Sequence, residues 1–556
     1  MYECPNCGGN LKFNITAQQL SCAYCNAQFD PYEVTKEKDA EENTFYDVTV
    51  FTCPQCGGEI YSTDNTAAGF CSFCGASTVL DSRISRERRP GFIIPFIKTK
   101  EDCKKAYSKM IRHALFAPKE LKNEKYIDSF RGIYMPYWVY YITQKGMIYL
   151  KGTKSHRSGD YIITDHYNLR GKLNNYYKGL SYDASSSFAD NISERIAPFD
   201  VKNMKGFTPS FLSGFYADTA DVDQSVYEED AKEEANNQTK KYLNSRSDMK
   251  SFTLEKYNDL SPKYHTKSET VDAAMFPVWF LSYRNGDRVA YATVNGQTGK
   301  VVADLPVDIR KYMGGSLLLA IPVFLLLNFF FTFTPATVLN IVTLVSLLSI
   351  ILHAVEMKQI VRKEEYQDDK GAMEAQRKRE SVEMEAASAE EEMVKAQTSY
   401  IAGQERIKTR KAKDRKENEG KLMKDKDVLL IIGTFFFVAV VLVFGSDIID
   451  IILGAGKVLS LIALIAAGIV SYISFKNNRK LDTKKKVPGF VGAFIAIVIA
   501  FLILLVNPVS DIFYYVGVII SLIAVFFTLL DLIRNYNILA TRKLPQFDYK
   551  GGDDRA

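Results

Sequence analysis

From about residue 313 onward, long apolar runs alternate with strongly charged stretches, whereas the first 312 residues mix apolar and polar positions at short range. A helix needs about 20 apolar residues to cross the hydrocarbon core of a bilayer. Six runs reach that length: 314–334, 336–355, 428–446, 456–475, 488–507 and 512–531. Short links join them into three transmembrane hairpins at 314–355, 428–475 and 488–531. The fold expected is therefore a multidomain membrane protein with six helical spans behind a soluble part. Residues 356–427, between the first two hairpins, are rich in Ala, Glu, Lys, Arg, Gln and Met, which favour helix. Ala386, Ala389, Met393, Ala396, Tyr400, Gly403 and Ile407 alternate steps of three and four, a thin coiled-coil seam. A helical hairpin and a charged disordered loop both fit this insert.

Within the soluble part the apolar period changes from place to place. Residues 101–128 put Ala106, Met110, Ala114 and Leu115 at helical spacing, and Pro118 restarts the helix. Two segments, Tyr134-Met-Pro-Tyr-Trp138 and Phe276-Pro-Val-Trp279, each lead into strand-like alternation and carry the chain's 2 tryptophans. They suggest two related β-rich halves, with an acidic helix at 221–243 between them. Residues 90–312 thus read as one α+β domain large enough to bury its own core, and 532–556 as a cytoplasmic tail.

The net charge of +5 says little, but its distribution orients the chain. Arg310 and Lys311 precede the first span. Arg406, Lys408, Arg410, Lys411, Lys413, Arg415 and Lys416 crowd the insert. Lys476, Arg479, Lys480 and Lys484 follow the fourth span, and Arg534, Arg542 and Lys543 lie in the tail. The short links carry almost none, Lys457 excepted. Positive loops stay in the cytoplasm, so both termini are expected there. The start, MYECPNCGGN, lacks a basic region followed by an apolar one and reads as no secretory signal.

Eight of the 9 cysteines then matter. Cys4, Cys7, Cys22 and Cys25 form one set of two CxxC pairs, and Cys53, Cys56, Cys71 and Cys74 repeat its spacing at an offset of 49. Two residues between cysteines let the chain turn and present both thiolates to one ion. A glycine after the second cysteine allows positive φ. The units at 1–35 and 50–82 are therefore expected to be zinc ribbons, each holding one structural Zn²⁺ with no open coordination position. Iron fits the same donors and is the less favoured metal. Cys103 reads as a spare thiol in a helix. Residues 1–80 carry 3 Lys, no Arg and 10 Asp or Glu, a balance of −7 that argues against nucleic acid as the ligand of the ribbons. Arg83, Arg86, Arg88 and Arg89 follow as a basic linker.

No catalytic constellation stands out, and the chain is expected not to be an enzyme. His113, His156, His166, His265 and His353 sit in no metal or triad motif. Asn295-Gly-Gln-Thr-Gly-Lys300-Val lacks the spacing and the Ser or Thr of a phosphate loop and reads as a hairpin turn. His353 and Asp531 fall at span ends, where water is close, and Pro322 is a lone candidate kink.

The duplicated cysteine units, Gly132-Ile-Tyr-Met-Pro-Tyr-Trp138, Phe276-Pro-Val-Trp279 and Asn295-Gly-Gln-Thr-Gly-Lys-Val-Val-Ala-Asp-Leu-Pro306 resemble the bacterial membrane proteins with TFIIB-type, rubredoxin-like zinc ribbons, the YdjG-like group. The resemblance covers about 1–355, and similar sequences are sometimes labelled primosome or PriA-like components. It implies a multi-pass protein of the bacterial plasma membrane and partners such as TPM-domain, SPFH-type or phage-shock-A-like proteins in an envelope-stress complex. The expected function is a membrane-anchored scaffold or adaptor that recruits cytoplasmic proteins, with oligomerisation left open. The alternatives are a membrane-tethered, replication-associated nucleic-acid-binding protein and a transporter with a regulatory zinc domain.

Overall fold

The computed structural model describes residues 2–35, 45–62, 68–75, 77–79, 81–254, 264–330, 332–378, 380–381, 447–479 and 489–544. Strands β1 (Leu11–Asn14), β2 (Gln19–Cys22) and β3 (Gln28–Phe29) form a small antiparallel sheet, followed by helix α1 (Pro31–Thr35). The second cysteine unit lies among β4 (Phe45–Thr52), β5 (Glu59–Ser62), β6 (Ala68–Phe70), β7 (Ser77–Val79) and β8 (Asp81–Arg88). Of these, β6 and β7 pair with each other, while β4, β5 and β8 enter a 13-stranded sheet. That sheet also takes β9 (Phe92–Ile93), β10 (Arg131–Ser158), β11 (Tyr161–Asp183), β12 (Lys205–Gly206), β13 (Tyr216–Asp218), β14 (Thr253–Leu254), β15 (Tyr264–Asn285), β16 (Arg288–Asn295), β17 (Val301–Ala303) and β18 (Arg542–Lys543). The second cysteine unit, the central domain and the C-terminal residues therefore share one sheet.

The two Pro-x-Trp segments are adjacent antiparallel strands at the centre of this sheet, with Pro136 opposite Met275 and Tyr134 opposite Pro277. A proline cannot donate to a ladder and is normally kept from central strands. Here each sits just before a second neighbour begins to pair: β11 joins β10 at Tyr137, and β16 joins β15 at Val278. The proline carbonyls still accept, from Ala184 N–H and Gly296 N–H at 2.8 Å each. The indoles also match, since Trp138 Nε1 donates to Val222 O and Trp279 Nε1 to Lys98 O, both at 2.9 Å. The expected relation between the halves appears as this local symmetry. The Asn295–Lys300 segment is a turn between β16 and β17, as its dipeptide predicts, with Asn295 Oδ1 accepting from the N–H groups of Gln297 and Thr298.

Helix α2 (Lys100–His113) starts at a capping box between Thr99 and Asp102. It fully buries Cys103, Tyr107 and Ile111; of the expected Ala106, Met110, Ala114 and Leu115 seam, Met110 and Ala114 pack half-buried against the same core, while Leu115 is 72% exposed. The two stripes differ by less than one turn, and the tyrosine ring makes the larger burial. Cys103 is fully buried, and burial pushes its thiol well above the ordinary range. Short α3 (Glu124–Ile127) and α4 (Asp190–Ile196) follow, then the acidic α5 (Glu228–Ser245) between the two halves.

Five long helices follow among the described residues: α6 (Ile309–Phe330), α7 (Pro335–Glu364), α8 (Asp447–Asn478), α9 (Phe490–Val506) and α10 (Ile512–Leu539). Among the described residues, four are long and apolar enough to cross a membrane: α6, α7, the Ser460–Asn478 part of α8, and α10. These four fall in four of the six runs expected. Helix α9 is apolar but has 17 residues, because Asn507 takes the left-handed conformation (φ 49°) and stops it. The 428–446 run and the Ala386-to-Ile407 seam lie outside the described residues. Helices α7 to α10 pack together through small residues such as Ala467, Ala493, Ala496 and Ala500. Helix α6 has no buried residue.

Helix α7 runs past the expected end at 355 and docks on the soluble sheet. Arg288 donates to Ile538 O (2.8 Å) and Thr541 Oγ1 (2.7 Å) and pairs with Glu364 (3.6 Å). Asn537 and Val307 exchange hydrogen bonds at 2.7 and 2.9 Å. These contacts fix the sheet against the ends of α7 and α10.

Candidate metal centres

Each CxxC pair makes the same tight knuckle. The N–H of the residue after the second cysteine bonds back to the first cysteine's carbonyl: Gly8 to Cys4 (2.8 Å), Asn26 to Cys22 (3.0 Å), Gly57 to Cys53 (2.7 Å) and Gly75 to Cys71 (3.0 Å). All four of those residues have positive φ, at 74°, 57°, 73° and 73°. Asn tolerates this region better than other side chains, which explains the one position without glycine. Beside the first knuckle of each unit, a Cβ on Gly9 or Gly58 would lie 2.5 Å from the ring of Tyr24 or Phe73. In the first unit the residues between the two cysteine pairs form a hairpin, where β1 pairs β2. In the second unit β5 pairs instead with β4 and β13.

The folding of each unit brings its four sulfurs within 4.8 Å of one another. The Cys4–Cys25 and Cys7–Cys22 separations are 3.5 Å; Cys53–Cys74 and Cys56–Cys71 are 3.8 and 3.7 Å. A tetrahedron of metal–sulfur bonds of about 2.3 Å has an edge of about 3.8 Å. The spacings match that edge and exceed a disulfide bond by more than 1 Å, roughly. In the second unit, hydrogen bonds from Cys56, Cys71 and Cys74 hold the Cys53 thiol down, while bonding to Cys53 pushes the Cys71 thiol well up. Four thiols this close cannot all ionise unless a cation joins them. The donor set thus fits a thiophilic ion in both places.

The two centres differ in their surroundings. Cys7 and Cys25 are exposed and Tyr24 is 78% exposed, whereas all four cysteines of the second centre are buried. Phe73 lies under Phe280, and its carbonyl accepts the Tyr291 hydroxyl at 2.7 Å. Tyr24 against Phe73 was a signal for this asymmetry in the sequence, since only one of the two rings lacks a hydroxyl that seeks water.

The structure also joins groups that sequence reading left apart. His353 and Asp531 are not in contact with water; they are buried at 0% and 5% exposure. The imidazole bonds Ser474 Oγ through Nδ1 (2.9 Å) and Asp531 through Nε2 (3.1 Å), and the same carboxylate accepts Gly489 N–H at the start of α9 (3.1 Å). Their separation of 178 positions gave no motif. His156 and Asp165 lie 3.9 Å apart on the surface, and His166 faces solvent.

A third polar group sits where the chain leaves α7. Asp190 accepts Tyr227 O–H and Lys370 N–H, each at 2.7 Å, and Asp369 accepts Ala372 N–H at 2.9 Å. Burial, reinforced by the charge of Asp190, pushes Asp369 up to about 7. An acid whose folded value lies above its unfolded value near 3.9 stabilises the fold below that lower value and loses the contribution as pH rises to about 7. Docking of 366–372 is therefore expected to loosen between about pH 4 and 7, read as faster amide hydrogen exchange there after correction for intrinsic rates. Asp369→Asn should flatten that dependence, and an unchanged profile in the variant would exclude Asp369 as its source.

The chain is similar to the uncharacterized protein YdjG of Bacillus subtilis (strain 168), with 28% identity over 317 residues, 56% of this chain and 91% of YdjG. No protein-family model matches the chain. No solved structure matches it. None of these comparisons supports a primosome or PriA-like label for the chain.

Proposed function

We propose that the chain is a membrane-anchored adaptor. Its soluble half faces the cytoplasm, carries a structural Zn²⁺ in each Cys₄ set, and recruits a protein partner to the bilayer. One observation carries this reading: the soluble sheet is bolted to the ends of apolar helices by Arg288, Asn537 and Thr541, so whatever binds the sheet is held at a fixed place beside the membrane. The cysteine centres support it as rigid surfaces with no open coordination position. The partners that the resemblance implies, TPM-domain, SPFH-type or phage-shock-A-like proteins, fit this role.

The test is affinity purification of the full chain from gently solubilised membranes, with Cys4→Ser and Cys53→Ser alongside. A protein that co-purifies with the native chain and is lost from at least one variant, while the variant stays in the membrane, is the expected result. Unchanged co-purification with both variants would count against the adaptor. Transport is the second reading, favoured by the buried His353–Asp531 pair, because ionisable groups inside a helical bundle commonly mark ion pathways. Solute or proton flux in proteoliposomes, abolished by Asp531→Asn, would select it.

A further inference from the structure

Strands β10 and β11 run past the end of β15, which pairs β10 as far as Gly146, and continue as a ribbon that β14 joins at Gly152 and Thr153, after register shifts at Tyr140–Tyr141 and Tyr141–Ile142. One face of the ribbon packs inward, with Ile148, Leu150 and Leu173 against Leu243 of α5. Successive residues of a strand alternate faces, and directly paired residues share one. The pairing of Lys145 with Asn174 through Arg157 with Ile162 therefore defines the opposite face.

That outward face carries Lys145, Lys151 and Arg157 on β10 and Arg170 and Lys172 on β11, with His166 between them. Between Met147 and Arg157 the two strands place no carboxylate on it, and Glu269 of β15, which accepts Thr143 Oγ1 at 2.7 Å, borders it at the Lys145 end. Aspartates and glutamates nearly balance lysines and arginines in the whole chain, 65 against 70, so two strands that give this face five cations and no acid of their own, with Glu269 of β15 only at the Lys145 end, are a local segregation. From Lys145 to Arg157 it extends about 40 Å at 3.4 Å per residue. Lys145, Lys172, Arg170 and Lys151 occupy four successive rungs on this face, about 7 Å apart. Exposed Met147, Tyr149 and Ile162 interleave with the cations. The face also lies toward the far end of the sheet from the membrane helices. Leu544, just beyond α10, bonds Asp287 O at the near end, whereas Lys145 pairs with His265, well along β15.

We propose that this face is the docking strip for an acidic α-helical segment of a partner protein, a proposal that rests on the adaptor reading. A helix is about 10 Å across, the width of a two-stranded ribbon, and its carboxylates at i, i+4 recur about every 6 Å, close to the rung spacing. Tyr, Met and Arg are also the side chains enriched at protein interfaces. A nucleic-acid duplex fits less well. Its charge continues past the strip, toward Glu228, Glu229, Asp230, Glu233 and Glu234 of α5 under the same ribbon, which repel it.

A photo-crosslinking residue placed at Tyr149 of the full chain in native membranes tests this, with one at Tyr161, on the other face, as control. The expected adduct at 149 is a peptide with an excess of Asp and Glu, reduced at least tenfold by K151E/R170E/K172E and unchanged by K154E. An unchanged melting temperature of the triple variant shows that it remains folded. A nucleic-acid or lipid adduct, a peptide without acidic excess, equal yield at 161, or no adduct while a partner still co-purifies would overturn the strip and leave the adaptor standing. Failure to find any partner whose co-purification depends on Cys4 or Cys53 would overturn the adaptor itself.

Discussion

Cys53→Ser is expected to destroy the protease-resistant core of the soluble part, whereas Cys7→Ser leaves most of that core intact. The second centre is inside a hydrophobic cluster of the soluble sheet, where all four of its ligands, Cys53, Cys56, Cys71 and Cys74, pack with Phe51, Phe73, Phe276 and Phe280. Structural zinc contributes about 10–16 kcal/mol in small metal-folded domains, against a typical net stability of about 5–15 kcal/mol for a domain. Losing one buried ligand therefore removes a share comparable with the whole margin. The first centre folds a small sheet whose Leu11, Phe13 and Leu20, with Cys4 and Cys22, join the cluster of Phe96, Tyr134 and Trp279, whereas its other two ligands, Cys7 and Cys25, are exposed outside that cluster. Loss of the exposed Cys7 leaves those apolar contacts in place, so its effect should be the milder one. Limited proteolysis with metal stoichiometry decides the matter: native protein holds two ions, and a chelator should remove the one beside exposed Cys7 and Cys25 first. Equal protease sensitivity of the two variants would refute the asymmetry.

Asp531→Ala is expected to lower the thermal midpoint of the detergent-solubilised protein by about 10 °C, for about 3–5 kcal/mol lost when one partner of a buried pair is removed. The substitution leaves His353 Nε2 and Gly489 N–H without their acceptor, in a bundle that offers no water to replace it. His353→Ala on top of it should add less than it costs alone, because the two groups share one network. Strict additivity, or a shift of under 2 °C, roughly the effect of a surface substitution, would show that the pair does not clamp the helices.

Some of this was legible without coordinates because it depends on neighbours in the chain. The CxxC knuckles are local turns, so the sequence spacing and the following Gly8, Gly57 or Gly75 announce them. The turn at Asn295 and the capping box at Thr99 are local in the same sense. Where two local readings compete, sequence fails: in α2, the Ala106 stripe and the Cys103 stripe both have helical spacing, and only the core behind Tyr107 selects between them. Span length shows the same limit, since the backbone of Asn507 ends α9 earlier than its apolar composition would.

What the amino-acid order by itself determined is the division into a cysteine-rich, mixed-polarity part and an apolar part, together with the donors of both candidate metal centres. Those follow from composition and short-range spacing, which act before the chain folds. The tertiary structure alone decided that the second centre is sealed and the first is open, that His353 meets Asp531, and that five cations gather on one ribbon face. Each of these is a contact or a register between distant segments, and burial, which sets the strength of a charge or a thiol, exists only once those segments have met.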